Sequence, residues 1–340
     1  MRLVLGALAV LLAACASPAA APTTTTTPAP TTSPPTTTTT VWSTTTVGTT
    51  TTTAPPYPYD FTVHPASPAI TTGDWDSAYT AVPFITRSAE EFLLFDSGAP
   101  GRGPELGLAT SPDGVEFTKH PDNPLMEGTG LGVGWLMAVE RETDWALWYV
   151  EGFSPPYRDL LRATAPSPSG PWTDEGEVMK APDRDWDVFF VPTGVTDVDG
   201  TLWMPYAAYD QIDRIPSVAL MTSTDGGETW VPRDAPIHTA TPGSWDEKGV
   251  VPANIIETPR GLELFYLGFN QPPKVGYQAD TIPMGVLVST DGGETWSPDN
   301  DGLPILDTGE KGWPGVTLAW IDGEYHIYLG DDLGSEGIKH

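Results

Sequence analysis

A ten-residue stretch that occurs twice, 56 positions apart, limits the fold more than any other feature of this chain. Phe61-Thr62-Val63-His64-Pro65-Ala66-Ser67-Pro68-Ala69-Ile70 matches Phe117-Thr118-Lys119-His120-Pro121-Asp122-Asn123-Pro124-Leu125-Met126. Weaker copies start at Pro171-Trp172-Thr173, Glu228-Thr229-Trp230 and Glu294-Thr295-Trp296, and a tryptophan follows each copy: Trp75, Trp135, Trp186, Trp245 and Trp313. A recurrence at this period means one supersecondary unit that cannot bury its apolar face alone and must stack on its neighbours.

Each unit reads as β-structure. After the tryptophan comes an apolar strand such as Tyr79-Thr80-Ala81-Val82-Pro83-Phe84-Ile85. A second follows (Phe92-Leu93-Leu94-Phe95) and then a third (Leu106-Gly107-Leu108-Ala109-Thr110). No stretch has the i, i+3, i+4 spacing of a long amphipathic helix. Four short strands repeated five times predict an all-β, five-bladed β-propeller with four antiparallel strands per blade. The last unit ends without its fourth strand, whereas the first repeat begins with a spare one. Residues 61–70 are therefore expected to close the ring as the outermost strand of the fifth blade, which leaves no open edge. An open β-sandwich is the alternative architecture.

The propeller is assigned to residues 57–340. Residues 1–14 read as a lipoprotein signal peptide, with Arg2 followed by a ten-residue apolar run, 3–12. That run is far short of the ~20 residues needed to cross a bilayer. It ends in Leu12-Ala13-Ala14-Cys15, which resembles the lipobox of bacterial lipoproteins. The resemblance implies that Cys15, the single cysteine, is lipidated, attached to a membrane and facing the outside of the cell. Residues 15–56 carry no charge and are mostly Thr, Pro and Ala, a composition that cannot bury enough surface to order itself and forms an extended tether.

Ser223-Thr224-Asp225-Gly226-Gly227-Glu228-Thr229-Trp230 recurs letter for letter at 289–296, with a degenerate copy at Ser111-Pro112-Asp113-Gly114. It resembles the Asp-box of sialidases and related propellers. Asp accepts backbone N–H bonds across the turn, Gly supplies positive φ, and Trp packs the hairpin down. Asp113, Asp225, Trp230, Asp291 and Trp296 are accordingly read as structural. Arg214-Ile215-Pro216 is similar to the Arg-Ile-Pro element of sialidases but falls in a different blade, and no motif supplies that family's other arginines or its Tyr-Glu pair.

Thr110-Ser111-Pro112-Asp113-Gly114, Phe117-Thr118-Lys119, Asn123-Pro124-Leu125 and Ser169-Gly170-Pro171-Trp172 together resemble the five-bladed glycoside hydrolases of the arabinanase, β-xylosidase and invertase group. Mannoside phosphorylases share the pattern. The resemblance implies carboxylates from different blades acting on a glycosidic bond in an axial funnel. Two family positions are not matched: Val82 stands where an Asp precedes Pro83, and Phe190 stands where a Glu precedes Val191-Pro192.

The acids expected in their place are Asp76, Asp187, Asp246 and Glu247, because Trp-Asp recurs ahead of three innermost strands, at 75–76, 186–187 and 245–246. The alternative is that each Asp caps its own blade. Trp75, Tyr79, Trp186, Phe189, Trp245 and Asn254 are the expected sugar contacts, since aromatic faces stack on sugar rings. His64 and His120 are repeat-equivalent and read as structural. With 45 acidic against 16 basic residues and a net charge of −29, nucleic acid and anionic polymers are poor partners. A neutral glycan, a membrane through the lipid on Cys15, and a monomeric state are expected. No metal-ligand spacing or cofactor motif is present, although calcium at an acidic axis is compatible with the composition. Three functions are compatible with these residues: a glycosidase, sialidase-like in one version; a non-catalytic glycan-binding or adhesion propeller; and an envelope scaffold.

Overall fold

The computed structural model describes residues 61–100, 103–128, 130–152, 159–210, 215–270, 282–307, 315–330 and 338–340. Residues 1–56, read from the sequence as signal and tether, lie outside them with Cys15, Arg214 and Trp313. The propeller lies within the unit Thr53–His340.

Five antiparallel sheets succeed one another along the chain. The innermost strands of blades I to V are Tyr79–Arg87, Val133–Glu140, the split pair Phe189–Pro192 and Thr196–Val198, Val250–Thr258 and Gly315–Ile321. The second strands (Phe92–Ala99, Trp145–Glu151, Thr201–Tyr209, Gly261–Gly268 and Glu324–Gly330) hold most of the core. Phe92–Ala99 is buried along its whole length, as a strand covered on both faces should be. Trp148, Tyr149, Tyr206, Tyr266 and Phe265 are all below 2 % exposed and carry much of the burial energy between blades.

Blade V is completed by the chain's two ends. Its third strand, Ile338–Lys339, is bridged by Ile70, and Ala69 N–H and Ile338 N–H donate across the seam at 2.8 Å each. The closing segment is not a continuous strand: it turns at 65–66 and contacts the seam at His64 and at 69–70, because Pro65 and Pro68 have no N–H to give to a ladder. Its repeat partner behaves alike. Strand Thr118–Lys119 is two residues long, and Met126 bridges Leu106 after a matching turn at 121–122. In both turns a histidine Nδ1 accepts a backbone N–H two residues on, from Ala66 to His64 and from Asp122 to His120.

The Asp-box hairpins are stapled identically. Ser223 and Ser289 Oγ accept from Gly227 and Gly293 N–H at 2.8 Å. Asp225 and Asp291 accept from the Thr229 and Thr295 hydroxyls at 2.6 Å. These bonds hold both carboxyls down at about 2. Gly227 sits against Trp148 and Gly293 against Trp203 of the preceding blade, and Trp148 Nε1 donates to Gly227 O at 3.2 Å. Trp230 meets Trp148 edge-to-face at 5.4 Å. The boxes therefore join blade to blade at the rim.

Candidate functional site

The axis has two ends. At the lower end, where the innermost strands finish, Arg87, Glu140, Asp197, Glu257 and Trp320 occupy one repeat position and rim a cavity of about 320 Å3. Above them the blades are tied together. Thr196 Oγ1 donates to Ile255 O at 2.6 Å, Ile85 N–H donates to Thr317 Oγ1 at 3.3 Å, and the Asn254 amide exchanges two bonds with the Leu318 backbone at 2.8 and 2.9 Å. Asn254, expected as a sugar contact, thus fastens blade IV to blade V.

The other expected site residues lie at the upper end, where the innermost strands begin. Tyr79 opens the first strand half-buried, its hydroxyl pushed up by burial and by the nearby Glu105 charge. Phe189 opens the third and stacks on Tyr209 at 4.9 Å. Trp245 stacks on Tyr266 at 5.6 Å and donates to Gly302 O at 2.9 Å, and Trp186 lies under Arg184 at 5.7 Å.

The Trp-Asp carboxylates are buried in their own blades. Asp187 accepts from Tyr206 Oη at 2.7 Å. Burial pushes its carboxyl up, against the Tyr206 bond and the Arg184 charge, and Oδ1 has no hydrogen-bond partner. Asp246 accepts from Thr241 N–H at 3.3 Å and lies 3.5 Å from His238 Nε2. Glu247 accepts from Gly243 N–H at 3.3 Å and pairs with Lys248 at 3.2 Å. Asp76 accepts from Gly73 N–H at 2.7 Å and forms an ion pair with Lys119. The described bonds of all three Trp-Asp acids run inside blades I, III and IV rather than to one another, which is the geometry of the capping alternative.

Blade I nevertheless breaks the repeat. Counted from the matched starts Phe92, Leu202 and Leu262, the fifth residue of the second strand is Tyr206 in blade III and Tyr266 in blade IV, each beside its Trp-Asp. In blade I it is Asp96. The outermost strands align equally well: Lys119 stands where blades III and IV carry Pro232 and Pro298. Where blades III and IV carry a tyrosine and a proline, blade I carries a carboxylate and a cation.

Asp96 is 1 % exposed. Thr80 Oγ1 donates to its Oδ2 at 2.5 Å, while Oδ1 has no hydrogen-bond partner. Burial raises its carboxyl to about 7, opposed by the Thr80 bond and the Lys119 charge and assisted by Asp76. Two glycines make room for this arrangement. A Cβ at Gly107 would sit 2.5 Å from Asp96 Oδ1 and 2.6 Å from the Trp75 ring, and one at Gly98 would sit 2.6 Å from Trp75 and 2.7 Å from Asp76. Across the sheet, Asp96 faces the bulge at Val82-Pro83, where Val82 is held at φ 50°, a costly conformation for a β-branched residue. Neither Asp96 nor Lys119 follows from motif reading. Their signal lay in the repeat alignment, as the positions where blade I departs from its siblings. Among the described residues no group of three His, Cys, Asp or Glu is placed to hold a metal ion.

Comparison with known proteins places this architecture. The BNR/Asp-box repeat model matches residues 287–298, the hairpin of blade IV. No curated protein matches the chain in sequence. Among solved structures, a candidate glycosidase from Bacteroides thetaiotaomicron superposes with a TM-score of 0.61 at 17% identity, over 81% of this chain and 94% of that one. A glycosyl hydrolase from Bacteroides ovatus gives 0.60 at 18%, over 81% and 91%. The β-1,2-mannobiose phosphorylase from Listeria innocua gives 0.58 at 12%, over 82% and 94%. The fold is that of the glycoside-hydrolase-like five-bladed propellers. At these identities the likeness is one of architecture, and the chemistry has to be argued from the site.

Proposed function

We propose that this protein is a carbohydrate-active enzyme of the glycoside-hydrolase type, acting on a neutral glycan at the upper end of its propeller. It is held outside the cell by the lipid on Cys15. The observation that carries the reading is the fold. Propellers that match it over nine-tenths of their own length include a glycosyl hydrolase and a phosphorylase of β-1,2-mannobiose.

Trp75, Tyr79, Trp186, Phe189 and Trp245 supply aromatic surface around the strand starts, as sugar rings require. Acid–base work falls to blade I, where Asp76 and Asp96 share the neighbourhood of one lysine. A carboxyl held near neutral pH is suited to exchanging a proton with a leaving group or a water molecule. Asp187 and Asp246 then serve mainly to cap their blades. A net charge of −29 favours neutral over anionic glycans.

The test is a hydrolysis and phosphorolysis screen over β-mannosides, arabinans, xylans and sialosides, with and without inorganic phosphate, beside a binding screen on the same panel. Turnover of a neutral glycan that falls at least 100-fold in Asp76→Asn or Asp96→Asn is expected. A second reading, a glycan-binding propeller without catalysis, is favoured by the mismatches at Val82 and Phe190. Binding without turnover would select it, and absence of both would overturn the carbohydrate reading.

A further inference from the structure

Three of the chain's five histidines meet where the ring closes. His64 belongs to the closing segment, His326 to the second strand of blade V, and His340 follows the third strand of that blade. His340 stacks on His64 at 4.8 Å, on His326 at 5.0 Å and on Tyr328 at 4.8 Å. The backbone of the seam runs through the same residue. His64 N–H donates to His340 O at 3.0 Å, and His340 N–H donates to Ser67 Oγ at 3.2 Å. All three imidazoles line a cavity of about 660 Å3 with Phe61, Tyr325 and Ile327, so the cluster is within reach of solvent protons.

The hydrogen bonding leaves no place for an added proton. His326 Nδ1 lies 2.8 Å from His340 Nε2, so one of the two nitrogens carries a hydrogen and the other is bare. His340 Nδ1 is buried and has no hydrogen-bond partner. With both rings neutral, His340 Nε2–H donates to His326 and Nδ1 stays bare. A proton added to His340 has to go on Nδ1. A proton added to His326 turns the bond round and again drives the hydrogen of His340 onto Nδ1. Either way a buried N–H is left unpaired beside a positive charge, and a second proton sets two N–H groups against each other.

The charges around the pair are mixed. Asp113 in the blade I hairpin and Asp322 and Glu324 at the turn into the second strand favour charged imidazoles, and His64 opposes them. Tyr325, Tyr328, Asp307 and Lys339 are the other titratable groups at the seam. Burial outweighs the carboxylates and holds both His326 and His340 below the usual histidine range.

We propose that the seam between residues 61–70 and blade V is an acid-sensitive latch: it holds while His326 and His340 are neutral, and their protonation frees the closing segment and breaks the closure of the ring. The latch needs no ligand and stands apart from the carbohydrate reading. Blade I supplies an internal comparison, because its repeat-equivalent turn keeps the single histidine His120, whose Nδ1 accepts from Asp122 N–H.

The test is hydrogen exchange of the full chain at pH 7 and pH 5, corrected for the intrinsic pH dependence of exchange. It is read at the Ala69 and Ile338 amides of the seam and at the Leu106 and Leu125 amides of the blade I turn. A histidine that is neutral in the closed seam and free to charge in the open one raises the opening constant about tenfold for each pH unit below about 6.5. The seam amides are therefore expected to lose at least about tenfold in protection between the two pH values, and the blade I amides less than about threefold. In His340→Gln the side-chain oxygen can accept from a protonated His326, so the acid response of the seam should shrink to less than about threefold. Imidazole NMR of the wild type gives a second reading, with His326 and His340 expected to titrate below 6.5. Equal protection of the seam at both pH values, a parallel loss in the blade I turn, or a full acid response in His340→Gln would each overturn the latch. Imidazole midpoints at or above 6.5 for both residues would do the same.

Discussion

In blade III the fifth residue of the second strand is Tyr206, whose hydroxyl closes a neutral cap over Asp187; in blade I it is Asp96, which needs Lys119 to share a blade with Asp76. Both blades share the register of the second and third strands and the same leading Trp-Asp. The two sites differ in cost. Tyr206 pairs one oxygen of a single buried carboxylate and leaves the other without a partner, whereas blade I holds two carboxylates near one lysine. Blade I thus concentrates charge where blades III and IV carry a tyrosine and a proline, and that contrast is what the proposed function rests on.

The most direct way to break this contrast is to remove the cation. Lys119→Met leaves Asp76 and Asp96 without a counter-charge and is expected to cost about 3 kcal/mol, the low end for a broken buried pair because Lys119 is itself 23% exposed. Tyr206→Phe removes one hydrogen bond and leaves the Arg184 charge near Asp187, so a loss of about 1–2 kcal/mol is expected. Urea unfolding of both variants measures the difference. If Lys119→Met is no worse than Tyr206→Phe, the blade I cluster is not the strained partner of the two.

Acidity sharpens the comparison, because two buried groups pull the pH–stability curve in opposite directions. Asp96 is raised from 3.8 to about 7, so the folded chain holds a proton that the unfolded chain has lost between those values. Its contribution to stability therefore falls as pH rises through that window and is fully lost above about 7. His340 lies in the seam of blade V, stacked on His64 at 4.8 Å and on His326 at 5.0 Å, with His326 Nδ1 2.8 Å from its Nε2. Burial first, then the two neighbouring histidines, lower it from 6.5 to about 4. Its contribution is complete above 6.5 and is lost as pH falls towards 4. The melting temperature of the wild type should change little between pH 4 and 6.5, where the two slopes offset. Asp96→Asn should expose a loss on acidification, and His340→Gln a loss on alkalisation. Parallel curves for all three proteins would mean that neither group titrates as its burial requires.

The sequence carried the architecture because a propeller is periodic. Trp75, Trp186 and Trp245 with their following acids, the two identical Asp-boxes and the spare segment at 61–70 each report a position that the fold uses repeatedly. Periodicity also directed the site reading. Repetition of Asp76, Asp187 and Asp246 suggested convergence on the axis, whereas each is tied within its own blade, and Asn254 turned out to fasten two blades together. The site proposed in blade I lies at an exception to the repeat. Asp96 follows four apolar residues in a strand that reads as core, and nothing local distinguishes it from a buried-strand terminus. Only the register that sets it opposite Gly107 and in line with Tyr206 shows that it is misplaced for a purely structural residue. Burial raises its carboxyl, and the cation that opposes that rise is Lys119, 23 positions away on the outermost strand, a distance that short-motif reading does not span.

The smallest effect is expected at the Asp-boxes, and it separates rim from site. Asp225 is exposed and bound by the Thr229 hydroxyl at 2.6 Å and the Thr229 N–H at 3.0 Å. Thr229→Val removes the first bond and keeps the second. Water can replace the lost donor at an exposed carboxylate, so the cost should stay below about 1 kcal/mol, a melting shift of roughly 2 °C. Ser223→Ala acts in the same hairpin but is buried, and it strips Gly227 N–H of its acceptor where Gly227 packs on Trp148. It should cost about 1–2 kcal/mol, more than Thr229→Val. Neither change lies near blade I, so both variants should bind sugar as the wild type does. If Thr229→Val instead weakened sugar binding tenfold while leaving the melting temperature in place, the Asp-box of blade III would be a ligand contact, and the division between a structural rim and a chemical blade I would fail.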